Sequence, residues 1–211
     1  MKAFHCLDPK ERQIHLVPMM LFPEPPSSKY HEEIWLHGSL MLQYIFGYEE
    51  TYKISKSLLS LEPRELSQVC NDKSGSHVID SFLQSTNVSS KHKSAFVDKM
   101  RGSFIDLACD RFGSRIIDYL LSTLDIKAKG YIMDELSAKE MQLNANKNGY
   151  FIGKKAGLYH YKHRYEEWRE IEKNREKKRR AFKVLLEDGD GDDRNDEDGY
   201  PKTKRTFFKR R

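Results

Sequence analysis

Apolar residues in this chain fall at helical spacing, and strand-like alternation is absent. Leu40, Leu42, Ile45 and Phe46 form one stripe, and Ile54, Leu58, Leu59 and Leu61 form a second, at the intervals of an amphipathic helix. Pro63 stands where a first-turn proline opens the next helix, with Leu66 and Val69 as its buried side. The same order then returns. Val78, Ile79, Phe82 and Leu83 follow Gly75, and Ile116, Ile117, Leu120 and Leu121 follow Gly113. Between these lie Phe96, Val97 and Met100, then Phe104, Leu107 and Ala108; later come Ile126, Tyr131, Ile132, Met133 and Leu136, then Met141 and Leu143. Each repeat reads as three short helices with a polar break before a glycine.

The glycine sets the period. It recurs in Leu36-His37-Gly38-Ser39-Leu40, Lys73-Ser74-Gly75-Ser76-His77, Arg111-Phe112-Gly113-Ser114-Arg115 and Lys147-Asn148-Gly149-Tyr150-Phe151, at steps of 37, 38 and 36 residues. A fixed period of this size marks a stacked-repeat architecture. Repeats this small cannot bury their apolar faces alone, so the pattern predicts an all-α solenoid of about four repeats over residues 31–160.

The flanks read differently. Residues 1–30 are expected to be an irregular lead-in, because Pro18, Pro23, Pro25 and Pro26 leave no room for a helix. A long charged helix is expected from about Tyr159 to Leu186, with 161–186 as a cap. Leu158, Tyr161, Tyr165, Trp168 and Ile171 would cover the last repeat, and Glu166, Glu170, Lys173 and Lys177 stand at pairing distances along its surface. Residues 187–211 lack a core-forming pattern and read as a disordered tail, acidic and then basic. The terminal Lys202 to Arg211 cluster is of the kind used for nuclear import or nucleic-acid contact.

Charge follows the same division. The net charge is +5, yet residues 31–160 carry sixteen basic and sixteen acidic side chains. The positive excess therefore lies outside the repeats. Cys6, Cys70 and Cys109 form no CxxC pair, which fits a reducing compartment. Cys70 and Cys109, with Ala145 at the matching place, are expected at a small buried core position. No signal peptide is visible, and Ile14–Phe22 is too short and too interrupted to span a membrane. A soluble, intracellular protein is expected.

A helix that starts at the glycine brings three polar or planar residues of each repeat onto one face. They are Ser76, His77 and Asp80 in one repeat and Ser114, Arg115 and Asp118 in the next. Planar groups one repeat apart suit the reading of stacked bases, with polar neighbours at the base edges. Capping by the serines and solvation of first-turn acids are the plainer explanations of the same residues. Ser76, His77 and Asp80 on one helical turn do not converge as a catalytic triad, and the histidines lack zinc spacing with the cysteines. No enzyme activity, cofactor or metal is expected.

These segments resemble pumilio (PUF) repeats, whose middle helix opens Gly-Asn/Ser-x-x-x-x. The Gly-Ser form, His37-Gly-Ser-Leu-x-Leu-Gln43 and the Trp-containing basic C-terminal region are similar to the nucleolar protein 9 group and its plant pumilio relatives, over about residues 31–170. The resemblance implies a right-handed α-solenoid that binds single-stranded or structured RNA on its concave side. It further implies a monomer acting on precursor ribosomal RNA in the nucleolus, beside pre-ribosomal proteins.

Carried over by position, the edge-reading pairs are Ser39 with Gln43, Ser76 with Asp80, and Ser114 with Asp118. The stacking positions are Leu40, His77 and Arg115. Ser with Gln is the family's adenine combination, whereas Ser with Asp is a shortened form of its guanine combination. The fourth repeat offers Tyr150, Phe151 and Lys154, which match no standard combination, although Phe151 retains a stacking ring. A pumilio array has eight or more repeats, so four imply part of a longer array. The alternatives are an α-solenoid scaffold for proteins and a pumilio-type mRNA regulator.

Overall fold

The computed structural model describes residues 14–22 and 34–188, and the regular elements among them are helices. In chain order, the first repeat holds α1 (Leu16–Leu21), α2 (Leu36–Ile45) and α3 (Tyr52–Leu58). The second holds α4 (Pro63–Asn71), α5 (Gly75–Gln84) and α6 (Ser90–Lys99), and the third α7 (Phe104–Cys109), α8 (Gly113–Thr123) and α9 (Ile126–Ala138). The fourth begins with α10 (Glu140–Ala145) and α11 (Lys147–Ala156), followed by α12 (Leu158–His163) and α13 (Tyr165–Asp188). Each repeat is thus a connector, a post-glycine helix and a third helix. The post-glycine helices α2, α5, α8 and α11 pack side by side.

The glycine period has a steric cause. A Cβ on Gly113 would stand 2.8 Å from the carbonyl oxygen of Leu107, and one on Gly149 2.6 Å from that of Leu143. On Gly75 it would collide with the carbonyl of Val69. In each case the oxygen belongs to the residue six places earlier, on the connector. An Asx cap fixes the turn between the two helices. Asp72 Oδ1 accepts from the N–H groups of Ser74 and Gly75, both at 2.7 Å. Asp110 Oδ1 does the same for Phe112 and Gly113, and Asn146 Oδ1 for Asn148 and Gly149. These side chains satisfy N–H groups that a helix start leaves without partners.

The lead-in expectation needs correction. Pro18 does not exclude a helix, because it occupies the first turn of α1, where no intrahelical acceptor waits for its missing N–H. Ser57 Oγ accepts from the Val17 N–H at 2.9 Å and donates to the Ile14 carbonyl at 2.7 Å. The carbonyl of Met20 occupies the space a Cβ on Gly38 would need. So α1 is the connector of the first repeat. Residues 1–13 and 23–33 of the expected lead-in lie outside the described residues, as do residues 189–211 of the expected disordered tail.

The core runs through the repeats without a break. Phe46, Phe82 and Phe96 form a chain of rings 5.5 and 5.8 Å apart that ties the first repeat to the second. Thr51 Oγ1 donates to the Asn87 carbonyl, and Asn87 Nδ2 to the Tyr48 carbonyl at 2.8 Å, which latches the two loops above it. In the third repeat, Glu135 accepts the Gly102 and Ile105 N–H groups and so caps α7 from α9. The flank of each post-glycine helix meets the repeat before it: Val78 and Ile116 are fully buried there, and Tyr119 donates across to the Leu83 carbonyl. At the equivalent places of α2, Met41 and Tyr44 are exposed.

The end cap differs from expectation in two ways. The helix is interrupted, since Arg164 leaves the helical region at φ −144° and separates α12 from α13. Leu158 and Trp168 are buried as expected, with Trp168 Nε1 donating to the Ala156 carbonyl at 3.1 Å and Tyr161 packed edge-on against it. Tyr165 and Ile171, however, are exposed. The rest of the seal is ionic: Lys129 and Glu172, both 3% exposed, pair side chain to side chain. Two compact parts divide the chain, Met1–Glu172 and Lys173–Arg211, and the second carries an Arg180–Glu176 pair at 2.5 Å.

Gly113→Ala should destabilise by about 1–3 kcal/mol through overpacking. Gly130→Ala should stabilise by about 0.5–1 kcal/mol, because a Cβ there meets nothing closer than 3.9 Å. Urea titrations of the two variants check the opposite signs. Glu172→Gln should cost about 3–5 kcal/mol by leaving the Lys129 charge buried without a counter-charge, whereas a Lys129→Met, Glu172→Met double variant should lose much less.

Candidate nucleic-acid interface

Four side chains stand two places after the glycines, one on each post-glycine helix: Leu40, His77, Arg115 and Phe151. All four are exposed. Because the glycines fix the depth at which each helix sits on its connector, these side chains emerge at matching levels in successive repeats. The structure therefore brings the expected stacking row to the surface. Gln43, Asp80 and Asp118, three places further on, are half-buried beside them, and Lys154 is exposed.

The serines behave differently from the edge-reading role. Ser39 and Ser76 are fully buried, and their hydroxyls donate to the carbonyls of Leu36 at 2.7 Å and Lys73 at 3.2 Å. Ser114 is half-buried and donates to the Arg111 carbonyl at 3.1 Å. These are bonds within the first helical turn, and they satisfy local backbone acceptors. For Ser39 and Ser76 the expectation of contact with a base edge is corrected, because no surface remains on either side chain. At the equivalent place of the fourth repeat, Tyr150 is exposed.

The carboxylates are also engaged, but across repeats. Arg115 pairs with Asp80 of the preceding repeat, and His77 Nδ1 lies 3.8 Å from the same carboxylate. Lys155 pairs with Asp118 at 2.6 Å. Each clasp joins a cation of one post-glycine helix to the acid of its predecessor. Such partly exposed pairs add little stability, yet they hold neighbouring side chains in register along the row.

The sequence offers Lys73, Lys91, Lys93, Arg111, Arg115, Lys147, Lys154 and Lys155 as cations for one basic face, and what its reading left out is that three of them recur as a second row. Lys73, Arg111 and Lys147 stand two places before the glycines of the last three repeats, and all are exposed. With the caps, they form a recurring Asp/Asn-Lys/Arg-x-Gly segment: Asp72-Lys73-Ser74-Gly75, Asp110-Arg111-Phe112-Gly113 and Asn146-Lys147-Asn148-Gly149. The signal was legible in the glycine alignment, where the cation holds a constant offset. Lys91 and Lys93 lie instead on α6, and the Lys93 ammonium donates to the Ser85 carbonyl at 2.8 Å. Burial pushes its pKa down.

Ser76, His77 and Asp80 do not form a hydrolytic arrangement, since the serine hydroxyl is buried and bonded to a carbonyl. A cleft of about 330 Å³ lined by Glu49, Tyr52, Asn87 and His92 includes none of the row residues. No described helix is long and apolar enough to cross a membrane. Cys70 is fully buried, but its structural equivalent is the buried Ala108 rather than Cys109. Cys109 is half-buried against Gly149, and Ala145 is exposed. The expected shared core position is thus two positions, displaced because Cys70 lies five places before its glycine and Cys109 four.

Comparison with known proteins places this architecture. The model of the NOP9-like PUF repeat domain matches residues 18–151. Nucleolar protein 9 of Mus musculus is 27% identical over 209 residues, covering 89% of this chain and 33% of its own length. Pumilio homolog 23 of Arabidopsis thaliana is 25% identical, covering 75% of this chain and 22% of its own length. The chain thus spans a third or less of the curated relatives it matches. Among solved structures, APUM23-GGAAUUGACGG superposes with a TM-score of 0.66 at 24% identity, over 76% of this chain and 32% of that one. The Puf3 RNA binding domain bound to Cox17 RNA superposes with a TM-score of 0.51 at 17% identity, over 72% and 40%. The fold is an α-solenoid of pumilio-type repeats.

The two described thiols should differ in reactivity. Burial raises the pKa of Cys70 strongly, with Asp80 adding to the effect, and raises that of Cys109 less. The thiolate is the nucleophile, so at pH 8 the folded protein should be alkylated at Cys109 and remain unmodified at Cys70. Mass spectrometry of the labelled peptides checks the order, which should vanish in denaturant.

Proposed function

Because the chain belongs to the NOP9-like PUF repeat family, we propose that it is a non-catalytic RNA-binding protein of the nucleolus that acts in maturation of small-subunit ribosomal RNA. The observation that carries this reading is the exposed row His77, Arg115 and Phe151, with planar groups recurring one repeat apart. A π-face or guanidinium plane at regular spacing suits unstacked bases, while a scaffold for proteins has no use for that spacing. The cations Lys73, Arg111 and Lys147 run beside the row and supply positive charge for the phosphates. Relatives named nucleolar protein 9 and APUM23-RNA structures support both the partner and the compartment.

In this reading the row holds precursor ribosomal RNA in single-stranded form and shields it from nucleases. The described residues carry no arrangement that would cleave it. The acids Asp80 and Asp118 are placed to accept N–H donors from a base once their clasps open, and Gln43 offers both a donor and an acceptor.

The experiment is a binding titration with the RNA GGAAUUGACGG across a salt series. A His77→Ala, Arg115→Ala, Phe151→Ala variant should bind at least tenfold more weakly than the parent chain, since stacking contributes roughly 1–3 kcal/mol per base. Equal affinity of the two proteins, with all binding lost when residues 189–211 are removed, would assign the RNA to the tail and contradict the row.

A further inference from the structure

We propose that the fourth repeat, which departs furthest from the pattern, is the anchor of the RNA-binding row and takes a nucleotide without regard to base identity. This rests on the RNA-binding reading above. Its starting point is the charge on α11: Lys147, Lys154 and Lys155 are basic, and this helix contains no acidic residue. The corresponding helices α5 and α8 carry Asp80 and Asp118.

That difference changes what each repeat can offer to a phosphate. Arg115 is paired with Asp80, and Lys155 is held 2.6 Å from Asp118. A phosphate approaching either cation must displace a carboxylate already there, so the net gain from its charge is small. Lys147 and Lys154 have no acidic partner among the described residues. They stand four places before and three places after Phe151, and residues so spaced share one helix face. The stripe Lys147–Phe151–Lys154 therefore spans roughly 10 Å of helix rise, with an aromatic ring between two free ammonium groups.

The ring itself is braced and open. Phe151 is 57% exposed, and Tyr150 packs edge-on to it with centroids 5.9 Å apart and planes at 68°. An aromatic face stacks on every base. In the other repeats the base would lie beside Gln43, Asp80 or Asp118: the two carboxylates select for N–H donors, and the Gln43 amide presents both a donor and an acceptor. The fourth repeat has no side-chain acceptor in that stripe, and lysine binds phosphate as a mobile point charge. Affinity and selectivity are thereby separated: the fourth repeat holds any nucleotide, and the second and third repeats discriminate with little net gain in affinity.

The test compares Phe151→Ala, Lys154→Gln and Arg115→Ala with the parent chain on three RNAs, GGAAUUGACGG, U11 and A11, by fluorescence anisotropy. These side chains are exposed, and circular dichroism confirms that each variant is folded. Phe151→Ala should weaken binding at least tenfold, by the same factor within about twofold on all three RNAs. Lys154→Gln should reduce the salt dependence on all three, and Arg115→Ala, which removes a cation already paired with Asp80, should weaken binding less than Phe151→Ala does. A Phe151→Ala effect confined to one RNA, or a larger loss from Arg115→Ala, would overturn the anchor assignment while leaving the RNA-binding reading intact. No binding of the parent chain to any of the three would overturn both.

Discussion

Everything in this stack depends on a backbone contact that tolerates no side chain. At Gly75, Gly113 and Gly149, the start of one helix sits against a carbonyl of the connector six residues earlier, and at Gly38 against the carbonyl of Met20. None of these four glycines has positive φ, so the requirement is space and not backbone freedom. The Asx caps at Asp72, Asp110 and Asn146 close the turn that brings the two helices together. Depth and angle of entry are then fixed for each post-glycine helix. A surface row at constant spacing is the consequence.

The same constraint separates core from surface with little freedom. Three and four places after the second glycine, Val78 and Ile79 are fully buried; two places after it, His77 is exposed. The serine between glycine and row residue is drawn into the first turn, where its hydroxyl meets a backbone carbonyl. Chemistry on the row is therefore free to vary while the glycine contact is held. Leu40, His77, Arg115 and Phe151 share a position and little else, and their differences make the four repeats unequal in charge and in stacking capacity.

Much of this was legible in the sequence, because helix periodicity and a repeated glycine are local signals. The connector α1 was not. Its helix is only six residues long and includes Pro18, and its role depends on Met20 meeting Gly38 across eighteen residues. The break at Arg164 was hidden because charged residues on either side continue the helical pattern. The burial of Ser39 and Ser76 could not be read from spacing, since a capping serine and an exposed serine look alike in a sequence. Pairing of Arg115 with Asp80 joins residues 35 apart and required the stacked geometry. The cation two places before each of the last three glycines was present in the alignment, but its exposure was needed to make it a row.

The surface proposed to face the RNA is the row of post-glycine helices. Ultraviolet cross-linking of the folded protein to GGAAUUGACGG, with peptide adducts mapped by mass spectrometry, tests this most directly. Adducts should concentrate at Tyr150, Phe151 and His77, with Phe151 dominant. Adducts confined to α3, α6 and α9, or to residues 173–211, would contradict the claim.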